Sequence, residues 1–443
     1  MNIALIAFWS IYIVAIWAGV FPYLLTNVTG VILWIFTCIV QMKRDSDFGV
    51  MSLLFYFTFT LTAIISVYAD TGVWLSEVKY TSYETGSTSR VISLVAVLFI
   101  SAFCSFKALS RVRFVSSGMS NLVSSLLMSA VHIIVVSMIA VLLYTRIRYG
   151  SPNEFGVDRF YYWNNIAPSW AEYCKFTLEQ MSLLIGLLYA VKEKRYFLLL
   201  FLMSLLSQFL VGEKFTGLYI SILLFVIPVF VYRKYDIWKM IKSPRFVALS
   251  LIFAGVLIFT ALLSYVSIAG SDSAMSLLLG RVVLQAQMWW AVDNYSSGYP
   301  VSFDEIWQSF LGFGADEEQS GIRYLMGVIA PSYVYQWFLD RGITFTMGSP
   351  VNLIYFFGYP LSVIPAAVLG SVLAFSFKML RDSIAVRDVI LTFLAVKFFY
   401  TMIRVITMGD VFQLTTPKVI FYIMAFLAYS VISLSFNKDR AYV

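Results

Sequence analysis

Apolar runs of about twenty residues recur along the chain, and the polar intervals between them are short except in three places. A membrane-crossing helix needs about 20 mostly apolar residues. On that measure hydropathy predicts twelve spans, at 2–20, 22–41, 49–69, 91–109, 119–144, 176–191, 196–211, 216–232, 246–267, 350–377, 388–407 and 417–435. The pair at 196–211 and 216–232 is short and joined only by Gly212-Glu213-Lys214-Phe215, which predicts a tight helical hairpin inside the bundle. The long polar intervals, 70–90, 145–175 and 268–349, each follow an odd-numbered span and so emerge on one face. The expected organisation is residues 1–267 with the first nine spans, a large loop at 268–349, and residues 350–443 with the last three.

Composition agrees with that pattern and sets the class. Of the 443 residues 60% are hydrophobic and 12% charged, against roughly 25% charged in soluble domains. The expectation is an all-α polytopic membrane protein of about 12 transmembrane helices, with amphipathic helices in the large loop. The net charge of +7 has a topological explanation. With the amino end cytoplasmic, 18 of the 31 basic residues but only 7 of the 24 acidic ones fall on the short even-numbered connections and the termini. That is the positive-inside distribution, and it predicts two cytoplasmic termini and no nucleic-acid partner. The run from Ile3 to Val20 lacks a basic flank and a small-residue cleavage site, so it reads as a retained span. Cys38, Cys104 and Cys174 are too few and scattered for a disulfide framework or a metal cluster. The single histidine, His132, sits in an apolar run, reads as a packing residue, and argues against a His-based zinc site or a Ser-His-Asp triad.

The loop at 268–349 holds Arg281, Arg323 and Arg341, no lysine, eight carboxylates and many aromatic residues. Residues 274–293 have helical periodicity, and predict an interfacial helix with Trp289 and Trp290 at headgroup depth and with Arg281 and Gln285 on one face. A second helix is expected from Ile322 to Leu339. Asp316-Glu317-Glu318 reads as a solvated run, because consecutive carboxylates point in different directions; no metal site is expected. Charges inside spans are costly and commonly face a cavity. Lys397 and Arg404 share a helical face with Tyr400 and Thr401; Glu179 sits early in its span; Glu213 and Lys214 cap the hairpin; Asp410 follows Arg404. Mutual neutralisation between neighbouring helices is the alternative reading of these charges. In the 145–175 loop, Arg159, Tyr161, Tyr162 and Trp163 precede Asn164 and Asn165, a composition suited either to a sugar ring or to an interfacial aromatic belt.

A polyprenyl tail, a pyrophosphate and a saccharide would each find matching chemistry on that face. Several features resemble the O-antigen polymerases of the Wzy type. They are the dozen spans with one large late loop, Gly280-Arg281 with Gln285, Gln287 and Trp290, Gly212-Glu213-Lys214-Phe215, and Gly348-Ser349-Pro350 leading into Phe357-Gly358-Tyr359. The resemblance implies a bacterial inner-membrane glycosyltransferase of the multispanning GT-C type, needing no metal or other cofactor. Its substrate would be an undecaprenyl-pyrophosphate-linked oligosaccharide, and a chain-length regulator would be a further partner. Under it Arg281, Lys214, Arg404, Arg323, Arg341 and Lys397 are candidates for gripping pyrophosphate. Arg281, with Glu213, Asp293 or Asp410 as base, would carry the chemistry. Arg159, Tyr161, Tyr162, Trp163, Gln285, Trp289 and Trp290 would meet glycan. Related ligases carry a loop histidine that this chain lacks; a ligase or a lipid-linked oligosaccharide flippase is the alternative, and the flippase predicts an internal repeat that the sequence does not display.

Overall fold

A computed structural model of the chain describes residues 3–112, 121–152, 154–157, 159–213, 216–244, 246–248, 255 and 271–440. Apart from a two-residue hairpin pairing Trp74–Leu75 with Tyr80–Thr81, the described residues form only helices and connections. In chain order the main helices are α1 (Ile3–Trp17), α2 (Tyr23–Arg44), α3 (Ser46–Ala69), α4 (Ser87–Leu109), α5 (Asn121–Tyr149), α6 (Arg159–Asn165), α7 (Ser169–Lys192), α8 (Arg195–Leu210), α9 (Thr216–Arg233) and α10 (Ile237–Ile241). They continue as α11 (Ser271–Tyr295), α12 (Gly321–Ile329), α13 (Ser332–Asp340), α14 (Val351–Phe357), α15 (Val363–Val386), α16 (Val389–Met408) and α17 (Pro417–Arg440).

Eight of these, α2, α3, α4, α5, α7, α9, α15 and α16, contain stretches long and apolar enough to cross a membrane. The chain is a polytopic, multi-pass membrane protein. Ile3–Trp17, Arg195–Leu210 and Pro417–Val431 are shorter apolar helices. Of the span expected at 246–267, residues 249–254 and 256–267 lie outside the described residues.

Several expected boundaries move. The run 350–377 is two helices, because Pro360 lacks an N–H and Gly358 takes a left-handed φ of 71°; α14 ends there and α15 begins at Val363. The 322–339 stretch divides at Pro331 into α12 and α13 for the same reason. The loop expected at 145–175 shrinks to 150–168, since α5 and α7 both extend into it. The hairpin of α8 and α9 is not interior as a whole: Leu199, Leu202, Leu206 and Phe209 leave α8 exposed along one side, while α9 packs on α7.

Apolar burial drives little helix association in lipid, where close packing takes over. The tightest example is α4 against α15. A Cβ at Gly370 would collide with the Leu98 carbonyl oxygen and the Ser101 hydroxyl, so only glycine lets the two backbones meet. Phe48, Phe55, Phe99 and Phe377 interlock around that contact. A second packed cluster joins α5, α6, α7 and α8 through Val135, Tyr162, Leu184 and Phe201.

The long connections meet one another. Tyr83 donates to Asn294, Asn164 to the Arg341 carbonyl, and the Ile322 amide to Asp410; Gly212 lies against Pro152. Residues 70–86, 150–152, 154–157, 159–168, 211–213, 296–350 and 409–416 therefore share one side, called here the loop face. Asp70 secures its first loop, accepting from Asn27 of α2 at 2.6 Å and from the Thr85 hydroxyl at 3.0 Å. The opposite side carries tight, basic connections, with Lys107 paired to Asp45 and Lys234 to Asp47.

Candidate functional site

A largely enclosed group of charges on the loop face lies where α6, α7, α9 and α16 meet. Glu213 follows the end of α8 and is almost wholly buried. Its Oε1 accepts from Arg159 Nη1 at 2.8 Å and from the Gly217 amide at 3.2 Å; its Oε2 accepts from Lys175 Nζ at 2.8 Å. One turn along α7 from Lys175, Glu179 accepts from the Tyr400 hydroxyl at 2.8 Å through Oε2. No described residue donates to its Oε1. Gly217 is the residue that permits this assembly, since a Cβ there would lie 2.5 Å from Glu179 and 2.8 Å from Glu213.

Burial alone would raise the Glu213 carboxyl. Lys175 first, and Arg159 second, outweigh that effect and hold it below the usual carboxylate range. Glu213 is thus an ionised hub that orders two cations, a poor proton acceptor compared with the base expected at this position. Arg159 belongs to this hub instead of standing free for a sugar.

One turn beyond Tyr400 on α16, Arg404 places Nη2 3.3 Å from Asp410 Oδ2, with its own side chain 51% exposed. Asp410 also accepts from the Ile322 amide at 3.2 Å, which makes it a remote cap for the start of α12. Burial keeps the Asp410 carboxyl above its ordinary value, against the lowering effects of Arg404 and that amide. Lys397, three residues before Tyr400, is half-buried in the middle of α16, with its ammonium 5.1 Å from the centre of the Phe393 ring. No carboxylate among the described residues pairs with it.

Arg281 stands elsewhere. It approaches Glu77, Nη1 to Oε1 at 3.8 Å, and is 63% exposed. Glu77 also accepts from Gln287, and burial raises its carboxyl despite both partners. The expected trio of Arg281, Lys214 and Arg404 is therefore not one cluster among the described residues: the two arginines answer to carboxylates on different elements, and Lys214 lies outside the described residues. Gln285 accepts from Thr346 at 3.2 Å. Arg323 is half-buried on α12, and Arg341 stacks over Trp337 at 4.0 Å.

Four aromatic expectations need correction. Trp289 and Trp290 are 0% and 1% exposed, because α11 lies inside the protein against α3 and α4 instead of at the lipid interface. Trp290 donates to the Tyr83 carbonyl at 2.8 Å, and Trp289 stacks over Phe59. Tyr162 and Trp163 are likewise interior, with the Tyr162 hydroxyl bound to the Gly150 carbonyl. None of the four presents a face to a glycan; Tyr161 remains exposed. Asp293, expected as an alternative base, is held by Arg90, Nε to Oδ1 at 2.9 Å.

Lys175, Glu77 and Arg90 were not singled out by the sequence. Only Lys175 left a readable trace, its four-residue spacing to Glu179. An exposed aromatic ladder, Phe303 on Trp307 on Phe313, was missed as well. His132 packs against Tyr196, as a packing histidine should.

A family model, DUF6418, described as a family of unknown function, matches residues 315–423. That interval carries α12 to α16 with Lys397, Arg404 and Asp410, and leaves out Arg159, Lys175, Glu213 and α11. No curated protein and no solved structure matches the chain.

Proposed function

We propose that the protein is a Wzy-type polysaccharide polymerase of the bacterial cytoplasmic membrane. It would transfer a growing glycan from undecaprenyl pyrophosphate to the next lipid-linked repeat unit. The observation that carries this reading is the buried network of Arg159, Lys175, Glu179, Glu213 and Tyr400, assembled from separate stretches of chain with Arg404 and Lys397 beside it on α16. Isolated surface ion pairs would need no such enclosure. The basic connections of the opposite face support a periplasmic loop face, and a dozen spans of GT-C type is part of the same proposal.

In the reaction, a hydroxyl oxygen of the acceptor sugar attacks the anomeric carbon of the donor, and the bond from that carbon to the diphosphate oxygen breaks. The departing diphosphate takes up charge. Arg404, half-exposed while it pairs with Asp410, and Lys397, which has no carboxylate partner among the described residues, would receive it. The proton from the acceptor passes to Glu179, whose Oε1 takes no hydrogen bond from another described residue, while Glu213 holds Lys175 and Arg159 in place. Tyr161 and the Phe303–Trp307–Phe313 ladder offer exposed rings to the glycan.

Glu179→Gln in a strain lacking its own polymerase tests the assignment. The expected result is lipid-linked product no longer than a single repeat, at normal protein level, with partial recovery in Glu179→Asp. A full-length polysaccharide ladder from Glu179→Gln would remove Glu179 from the reaction.

A further inference from the structure

A separate recess of about 320 Å³ opens on the loop face, where the end of α11 and the turn after it meet the start of α4, α14 with the turn after it, and the last residues of α1. One wall is the Arg90–Asp293 pair. Arg90 Nε donates to Asp293 Oδ1 at 2.9 Å, and Nη2 donates both to Oδ2 and to the Thr85 carbonyl. The Asp293 side chain is enclosed and that of Arg90 is about a quarter exposed. Among the described residues nothing accepts from Arg90 Nη1, so its N–H donors remain for an occupant. Tyr359 and Ser297 add hydroxyls, Ile354 adds an apolar patch, and Trp17 stands at the rim 65% exposed.

The chemistry of this recess differs from that around Arg404 and Lys397. Arg90 and Asp293 cancel, so no surplus cation awaits a phosphate. What remains is the free edge of a planar donor fork, the hydroxyls of Tyr359 and Ser297, and an indole ring. Those groups match an uncharged polyhydroxylated ring, whose C–H face stacks on the indole while its hydroxyls bridge donors and acceptors. We propose that this recess binds a neutral sugar residue of a glycan. The inference rests on the polymerase reading only for where that sugar comes from; the class of ligand follows from the recess itself.

The test uses the full-length protein in lipid nanodiscs. The probe is oligosaccharide released by mild acid from lipid-linked repeat units of the source strain, with binding read by saturation-transfer NMR and inorganic pyrophosphate as the competitor. Trp17→Ala and the recess-filling Ser297→Trp should each weaken binding at least tenfold, both altering exposed positions and leaving thermal stability unchanged. Arg404→Ala should bind as wild type does, and pyrophosphate should not displace the sugar. Asp293→Asn should make the recess sensitive to pyrophosphate, because Arg90 loses its counter-charge. Wild-type binding in both Trp17→Ala and Ser297→Trp, or displacement of the sugar by pyrophosphate from the wild-type protein, would overturn the proposal. Sugar binding by a folded wild-type protein that does not lengthen lipid-linked repeat units would sink the polymerase reading and leave this one standing.

Discussion

Glu213 joins the network by three contacts, to Arg159, Lys175 and the Gly217 amide. It and Lys175 are both enclosed, and breaking a buried pair from one side typically costs about 3–5 kcal/mol, because the remaining charge loses its partner. Glu213→Gln should accordingly lower thermal stability by several degrees. The pH dependence has a definite sign. The folded-state pKa lies below the ordinary value, so the stabilisation is present above about pH 4.3, the unfolded glutamate value, and is lost as the pH falls through the depressed folded pKa. Thermal melts between pH 3 and 7 should show an acid limb that is flatter in Glu213→Gln; an identical limb would detach this carboxylate from the pair. Trp290 separates an interior role from a glycan role. Trp290→Phe forfeits the hydrogen bond to the Tyr83 carbonyl, worth about 0.5–1.5 kcal/mol, and should lower the melting temperature slightly without changing polysaccharide length. At this scale the sequence exposes charges that sit in apolar runs, such as Lys397 and Glu179, because their environment is written beside them. It does not expose partners. That Arg281 meets Glu77 and Asp293 meets Arg90 follows from contacts across more than 200 residues, for which the local pattern holds no signal.

At the scale of elements, hydropathy locates apolar helices well and their surroundings poorly. Residues 274–293 have the composition of an interfacial helix, yet α11 is enclosed from Val283 to Asp293, and composition cannot distinguish a lipid interface from the inside of a bundle. The breaks at Pro331 and Pro360 were legible in principle, since proline ends helices for a local steric reason; the apolar residues around them masked that signal. The contact of α4 with α15 yields a direct expectation. Gly370→Leu forces a side chain onto the Leu98 carbonyl and should cost on the order of 1–3 kcal/mol as overpacking, read as a lower melting temperature and reduced yield in detergent. Unchanged melting would mean that the two helices do not approach at Gly370.

For the whole molecule, the asymmetry between faces is the organising fact. Long connections, the buried network, Arg404 and the recess at Arg90 share one side, while the short basic connections share the other. The arrangement keeps water-facing chemistry on one side of a bundle whose interior is aromatic and tightly packed. A lipid-anchored substrate would enter sideways, its tail in the bilayer and its head at the loop face. Reconstitution tests this most directly: purified protein in liposomes, supplied only with undecaprenyl-pyrophosphate-linked repeat units from a polymerase-deficient strain, with chain length followed by mass spectrometry. The account predicts glycans longer than one repeat, one undecaprenyl pyrophosphate released per linkage formed, and neither product from the Arg404→Ala protein. Repeat units left at their starting length by the folded wild-type protein, or elongation undiminished in Arg404→Ala, would contradict it.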